Sequence, residues 1–230
     1  CKKIINKSQA VENILIIGGG FIGLEIASSL SKLKKNISVI EIGKQLMGRV
    51  IPKEIADIML VTHKKNNVNI FVDTQISKIL KSGNNYEVRL TNGQIIKSEM
   101  IIAGIGVEPQ VNLLKNTTIK LDNGILTNQF CNTSIENIYA AGDVCNFFHP
   151  LYNKYIRLES WQHAQKHGSV AGKNIIGENI SYDEVPWMWS NQYDYNIQLT
   201  GITNDYDSIV KRGSDINEGI IYFYLKNNKI

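Results

Sequence analysis

The 230 residues include 25 Lys and Arg against 21 Asp and Glu, a formal charge of +4, with 43% apolar and 20% charged residues. That length suffices for one large or two modest cores, and the composition excludes wholesale disorder. The positive excess is too mild and too scattered, as in Lys32-Leu33-Lys34-Lys35 and Lys64-Lys65, to argue for nucleic acid, and no apolar run approaches the ~18 residues that span a bilayer.

Residues 1–13 are polar and basic. Ile14-Leu15-Ile16-Ile17 then reads as a buried strand, running into Gly18-Gly19-Gly20-Phe21-Ile22-Gly23, a G-x-G-x-x-G spacing. In such a loop the first glycine permits a tight turn and the second lets backbone approach a pyrophosphate. The third lets helix and strand pack closely, while the helix N-terminus offers unpaired N–H groups to the phosphates. Ile22, Ile26, Leu30 and Leu33 recur at helical spacing, predicting a helix over 22–35, with Ala27 and Ser28-Ser29 small enough to pack on a sheet. Ile37-Ser38-Val39-Ile40-Glu41 completes a βαβ unit. Glu41 ends this strand about 20 residues past the glycines, where a carboxylate accepts both ribose hydroxyls and repels a 2′-phosphate, favouring NAD over NADP. Arg49 is a candidate phosphate or ribose contact, although loop arginines are usually only solvated.

Pro52 opens a helix over 53–65, and Val68–Val72 is a further strand. Ile76–Leu80, Tyr86–Leu90 and Gln94–Ile96, joined by Ser82-Gly83-Asn84-Asn85 and Asn92-Gly93, predict an antiparallel meander. Met100–Ala103 returns to the parallel sheet and enters Gly104-Ile105-Gly106, where backbone either approaches a ligand or simply turns. After short apolar pieces and a Gly124 turn, Ile138–Asp143 predicts a strand ending in Asp143. A helix follows over 161–176, with Ala164, Val170, Ala171, Ile175 and Ile176 as its expected buried positions. The remainder is rich in aromatics (Trp187, Trp189, Tyr193, Tyr195) and offers strands at 197–200, 208–211 and 219–225. Cys1, Cys131 and Cys145 form no metal-ligand or redox-pair spacing, which predicts unpaired thiols, no bound metal and a reducing, cytoplasmic setting.

Gly18–Glu25, Glu41, the Gly104–Gln110 loop and Ala141-Gly142-Asp143 together resemble the FAD- and NAD(P)-dependent pyridine nucleotide oxidoreductases. Within them, Leu158-Glu159-Ser160-Trp161-Gln162-His163-Ala164-Gln165 is similar to the flavin-contacting segment of ferredoxin reductases, the reductase components of bacterial aromatic-ring dioxygenase and cytochrome P450 systems. Pro186-Trp187-Met188-Trp189-Ser190-Asn191-Gln192 resembles the start of that family's C-terminal domain. The resemblance covers essentially the whole chain. It implies an α/β fold, a Rossmann-like parallel sheet with an antiparallel meander, followed by a shortened α+β C-terminal domain. The implied divisions are an NAD-binding part over 1–103, the returning part of an FAD domain over 104–181 and the C-terminal domain over 182–230. Gly18, Gly19, Gly20, Phe21, Ile22 and Gly23 are expected at the NAD pyrophosphate, Glu25 beside the nicotinamide amide, Glu41 at the adenosine ribose, and Gly104 and Gly106 along the same cofactor. Asp143 is expected at the ribityl–phosphate region of FAD and Trp161 near the flavin ring. The implied activity is hydride transfer from NADH to FAD, then single electrons to a [2Fe–2S] ferredoxin, with no protein nucleophile and no membrane or nucleic-acid partner.

The family opens with its own FAD-binding G-x-G-x-x-G, whereas the spacing occurs here only at Gly18, and residue 1 is Cys rather than Met. The expectation is therefore a partial chain that alone binds NADH weakly at best, retains no FAD and is redox-inactive. Two other readings are a disulfide reductase, which needs a cysteine pair, and a non-catalytic NAD-binding redox-sensing module.

Overall fold

The computed structural model describes residues 2–48, 50–203, 205–216 and 218–230. Arg49 and Cys1 lie outside the described residues. The chain divides into two compact units, the first made of the chain up to Gly106 with Ser190–Ile197 and Thr203–Ile230, the second of Val107–Trp189 with Gln198–Ile202.

In the first unit the polar lead-in forms a short helix, α1 (Lys2–Gln9), which no apolar periodicity signals. The glycine loop joins β1 (Asn13–Ile17) to α2 (Phe21–Ser31), and β2 (Asn36–Ile40), α3 (Lys53–Lys65) and β3 (Val68–Phe71) follow. The meander β4 (Ile76–Ser82), β5 (Asn85–Leu90) and β6 (Ile95–Ser98) is antiparallel, as its turn residues predict. At Asn92-Gly93 the glycine adopts φ +86° and the Gly93 N–H donates to the Leu90 carbonyl at 3.1 Å. β7 (Met100–Ala103) returns beside β1, giving a parallel sheet of order β3-β2-β1-β7. Because β2 and β7 flank β1 on opposite sides, the strand order reverses at β1, and sheets of this kind bind ligands at the carboxyl ends of the strands beside such a reversal. Leu15, Ile40, Val88 and Leu90 are buried together, with Phe71, Tyr86 and Ile101 against them, so the meander is packed on the sheet by apolar side chains.

α2 is shorter than its apolar spacing predicts. It stops at Ser31, and the chain reverses through Lys34 at φ +57°. Its buried face is Gly23, Leu24, Ala27, Ser28 and Leu30, while Ile22 and Leu33 are 64% and 54% exposed. Small residues win the inner face because the helix must approach the sheet closely at Gly23.

In the second unit β8 (Ile125–Thr127), β9 (Cys145–His149) and β10 (Lys154–Arg157) form a sheet of order β10-β9-β8. The strand expected over 138–143 is not there. That stretch makes one isolated bridge, Asn132 to Tyr139, then turns at Gly142 with φ +80°, and the strand begins instead at Cys145. Ala140-Ala141-Gly142 have little side chain to bury, whereas Phe147 two residues into β9 is fully buried. The helix α4 (Trp161–Ile175) lies as predicted, but its inner face is His163, His167, Ala171 and Asn174, with Ile175 and Ile176 63% and 75% exposed. Ring stacking decides this face, since Phe147 packs on His163 and His167 at centroid distances of 5.0 and 4.8 Å, and Tyr182 closes the cluster.

β11 (Trp187–Gln192) and β12 (Tyr195–Thr200) pair in a two-stranded sheet, and β13 (Ser208–Arg212) and β14 (Ile221–Leu225) pair in a second, antiparallel one.

Candidate dinucleotide site

The three glycines of the loop do three different things. Gly18 sits at φ +106°, and a Cβ there would lie 2.3 Å from the Gly104 carbonyl oxygen. A Cβ on Gly23 would lie 2.0 Å from the Gly18 carbonyl oxygen, so α2 rests directly on the loop backbone. Around Gly20 there is nothing within 4 Å of a built Cβ, and as N-cap of α2 it offers no side-chain hydrogen bond to the helix's first N–H groups. The first turn of α2 also carries no acidic residue. The result is an open, uncapped helix N-terminus with its partial positive charge facing free space, the arrangement that suits an anion such as a pyrophosphate. By contrast α4 is capped from within, its Ser160 Oγ accepting from the His163 N–H.

Gly104 belongs to the packing of this loop, since its own Cβ position is 3.4 Å from the Gly23 nitrogen. Gly106 is exposed, open and at φ +102°. Of the other loop residues, Phe21 is half-buried, Ile22 points largely to solvent, and Gly19 is buried against Leu46 and Glu41.

Glu41 stands just past β2 with one carboxylate oxygen accepting from the Gly19 N–H at 2.7 Å and the other from the Gly43 N–H at 2.6 Å. These charge-assisted bonds fix the carboxylate at the rim of the loop. Each oxygen keeps lone-pair capacity for hydroxyl donors, so the group fits a ribose diol and opposes a phosphate. Glu25, one turn into α2, is half-buried and accepts a 2.6 Å hydrogen bond from the Ser190 hydroxyl.

The second unit holds the other two expected residues. Asp143 is exposed in the turn after Gly142, whose N–H donates to His167 Nδ1 at 3.1 Å and whose Cβ position is 3.7 Å from Ala164, so α4 fixes this turn. Partial desolvation and the nearby Glu159 carboxylate raise the Asp143 pKa, against the pull of the Arg157 guanidinium. Trp161 opens α4, 68% exposed, with Trp189 edge-on at 6.4 Å and Trp187 stacked on Trp189 at 5.0 Å. Cys131 and Cys145 are free and buried, and burial pushes both thiols up to about 12, which leaves them protonated and unreactive.

Ser190 and Gln192 lie in the Pro186–Gln192 run, but nothing in that run marks them as site residues, and His63 belongs to no motif. Only the i, i+4 spacing of His63 with buried Met59 on α3 hints that this histidine points inward. Among the described residues no cluster of metal-ligating side chains is present, and no helix is long and apolar enough to cross a membrane.

The pyridine nucleotide-disulphide oxidoreductase profile matches residues 1–168, and the reductase C-terminal profile matches residues 187–230. The chain is 34% identical over 200 residues to the ferredoxin–NAD(+) reductase component of the anthranilate 1,2-dioxygenase system of Burkholderia cepacia, a match covering 87% of this chain and 49% of that protein. It is 36% identical over 196 residues to the corresponding component of the 3-phenylpropionate/cinnamic acid dioxygenase of Photorhabdus laumondii, covering 84% and 50%. Among solved structures, the ferredoxin reductase for the CYP199A2 system of Rhodopseudomonas palustris superposes with a TM-score of 0.93 at 27% identity, covering 98% of this chain and 56% of that one. The chain thus spans about half the length of the curated relatives it matches. It belongs to the pyridine nucleotide-disulphide oxidoreductase family, and to those members that carry the reductase C-terminal domain.

Proposed function

We propose that this chain is the NAD-binding and C-terminal part of an NADH-dependent, FAD-containing ferredoxin reductase serving a cytoplasmic oxygenase system. The observation that carries the reading is the open N-terminus of α2 at Gly20 with the Glu41 carboxylate fixed at its rim. In this reading the N–H groups of Gly20–Gly23 and the α2 dipole hold the pyrophosphate, Glu41 takes the adenosine ribose, and Glu25 borders the nicotinamide amide. Residues 1–103 form the NAD-binding part, and Asp143 and Trp161 serve the flavin. Asp143 accepts from ribityl hydroxyls, and α4 brings its N-terminus, with Trp161, toward the electron-rich edge of the ring. When bound, NADH supplies a hydride and FAD converts it into single electrons; the protein supplies position and field. A [2Fe–2S] ferredoxin is the acceptor by analogy with the relatives whose names specify ferredoxin reductases.

The disulfide-reductase alternative finds no support in Cys131 and Cys145, whose burial and raised pKa values make them poor nucleophiles. The test is a binding titration of NADH and NADPH into the 230-residue chain by nicotinamide fluorescence. It is joined to ferredoxin reduction by a flavin-loaded protein carrying this sequence. Preference for NADH and NADH-dependent ferredoxin reduction are expected; tighter NADPH binding, or failure to reduce any [2Fe–2S] ferredoxin, would overturn the reading.

A further inference from the structure

The Glu25 carboxylate is the end of a chain of hydrogen bonds that runs through the interior of the first unit. The Ser190 hydroxyl is 2.6 Å from Glu25 Oε1, Gln192 Nε2 is 3.1 Å from Ser190 Oγ, Gln192 Oε1 is 3.0 Å from His63 Nε2, and His63 Nδ1 is 3.0 Å from Tyr193 Oη. Ser190, Gln192 and His63 are all fully buried. The spare Gln192 N–H points to Met47 Sδ at 3.7 Å.

Donor and acceptor chemistry leaves one arrangement. An ionised carboxylate only accepts, so Ser190 must spend its single proton on Glu25. Ser190 Oγ must then accept from the Gln192 amide N–H, which turns the Gln192 carbonyl oxygen toward His63 and requires a proton on His63 Nε2. With Nε2 protonated and the ring neutral, Nδ1 accepts and Tyr193 Oη donates. Burial lowers the His63 pKa and keeps the ring neutral. Every donor therefore points toward Glu25, and bonds aligned in one direction polarise one another. The same segment grips α2 a second time, one turn on, where the Tyr193 N–H donates to Ser28 Oγ at 2.7 Å.

We propose that Ser190 is the positioning residue for the Glu25 carboxylate, and that Gln192, His63 and Tyr193 form the directed relay that holds Ser190 in its donating state. The role of the relay in cofactor binding rests on the proposal that Glu25 borders the nicotinamide; the relay itself does not. It makes the Ser190–Tyr193 segment part of the dinucleotide site without touching the dinucleotide.

The test uses the 230-residue chain in two measurements. The first is long-range ¹H–¹⁵N NMR of its histidines, with the His63 signals assigned through His63→Gln. A single Nε2–H tautomer at His63 is expected, and an Nδ1–H tautomer would reverse the relay and overturn it. The second is a double-mutant cycle on NADH affinity with Ser190→Ala, Glu25→Ala and the pair, the fold of each checked by circular dichroism. Ser190→Ala is expected to weaken NADH about three- to tenfold, with Ser190→Thr restoring most of the loss. In the Glu25→Ala background Ser190→Ala is expected to add nothing. Equal losses in both backgrounds, or unaltered affinity in Ser190→Ala, would overturn the positioning role. A chain with the Nε2–H tautomer whose NADH affinity is unmoved by Glu25→Ala would overturn the placement of Glu25 at the nicotinamide and leave the relay supported.

Discussion

The glycines at 18, 20 and 23 look equivalent in a motif and are unequal in space. A Cβ on Gly23 would sit 2.0 Å from the Gly18 carbonyl oxygen, so Gly23→Ala must push α2 off the loop, and we expect a loss of thermal stability as well as of NADH binding. Gly20 has φ −80° and free space around it, so Gly20→Ala should leave the melting temperature within a degree or two while lowering NADH affinity by obstructing the pyrophosphate. A Gly20→Ala chain that melts as early as Gly23→Ala would contradict the open-cradle geometry. Glu41 is likewise double-edged. Its carboxylate ties down the Gly19 and Gly43 N–H groups, so Glu41→Ala should cost about 1–3 kcal/mol of local order besides the ribose contact. NADH affinity is expected to fall tenfold or more and discrimination against NADPH to relax; a kinetic or binding assay with unchanged cofactor preference would remove Glu41 from that role.

At the level of elements, the inner face of α4 carries the most consequential chemistry. All four histidines of the chain, His63, His149, His163 and His167, are buried with lowered pKa values, His163 to about 4 and His167 to about 3, chiefly through desolvation. Each stays neutral in the folded chain below the pH at which it charges in the unfolded one, near 6.5. The unfolded state thus binds more protons as pH falls below about 6.5, and for His163 and His167 stability drops between about pH 6.5 and 4 by about 1.4 kcal/mol per pH unit each. Denaturant unfolding at pH 7 and pH 5 should show a lower midpoint at pH 5, and His167→Gln should flatten the dependence. A midpoint unmoved between these pH values would mean that the rings take up protons without unfolding. The apolar periodicity of 161–176 pointed to Ile175 and Ile176 as buried. The rings of His163 and His167 occupy that face instead because they stack on Phe147, an aromatic preference that a hydrophobicity pattern does not register.

For the molecule as a whole, the glycine cradle and the two residues proposed for the flavin are unequally equipped. The first is a complete βαβ unit with its loop, helix terminus and acidic rim in place, whereas the second contributes one exposed carboxylate and one exposed indole. The purified 230-residue chain is accordingly expected to show no flavin absorbance and no NADH-dependent dye reduction. A yellow chain that reduces a dye with NADH would show that Asp143, Trp161 and their surroundings suffice for flavin binding.

Whatever depends on residues close in the chain is legible in the amino-acid order. Strand, glycine loop and helix follow from Ile14–Gly23, the α3 helix from Pro52 and the spacing after it, and the meander from Asn92-Gly93, because turn conformation and periodicity are local properties. The same order places Glu41 at the loop, since a βαβ unit of fixed length brings the second strand's end beside the first glycines. That 138–143 is a turn pinned to α4 rather than a strand emerges from the folded molecule, since it depends on Gly142 meeting His167, 25 residues away. So does the meeting of Ser190 with Glu25 across 165 residues and of Gln192 with His63 across 129. Hydrogen bonds over such separations leave no period in the sequence, and buried polar side chains declare their partners only once the chain has closed around them.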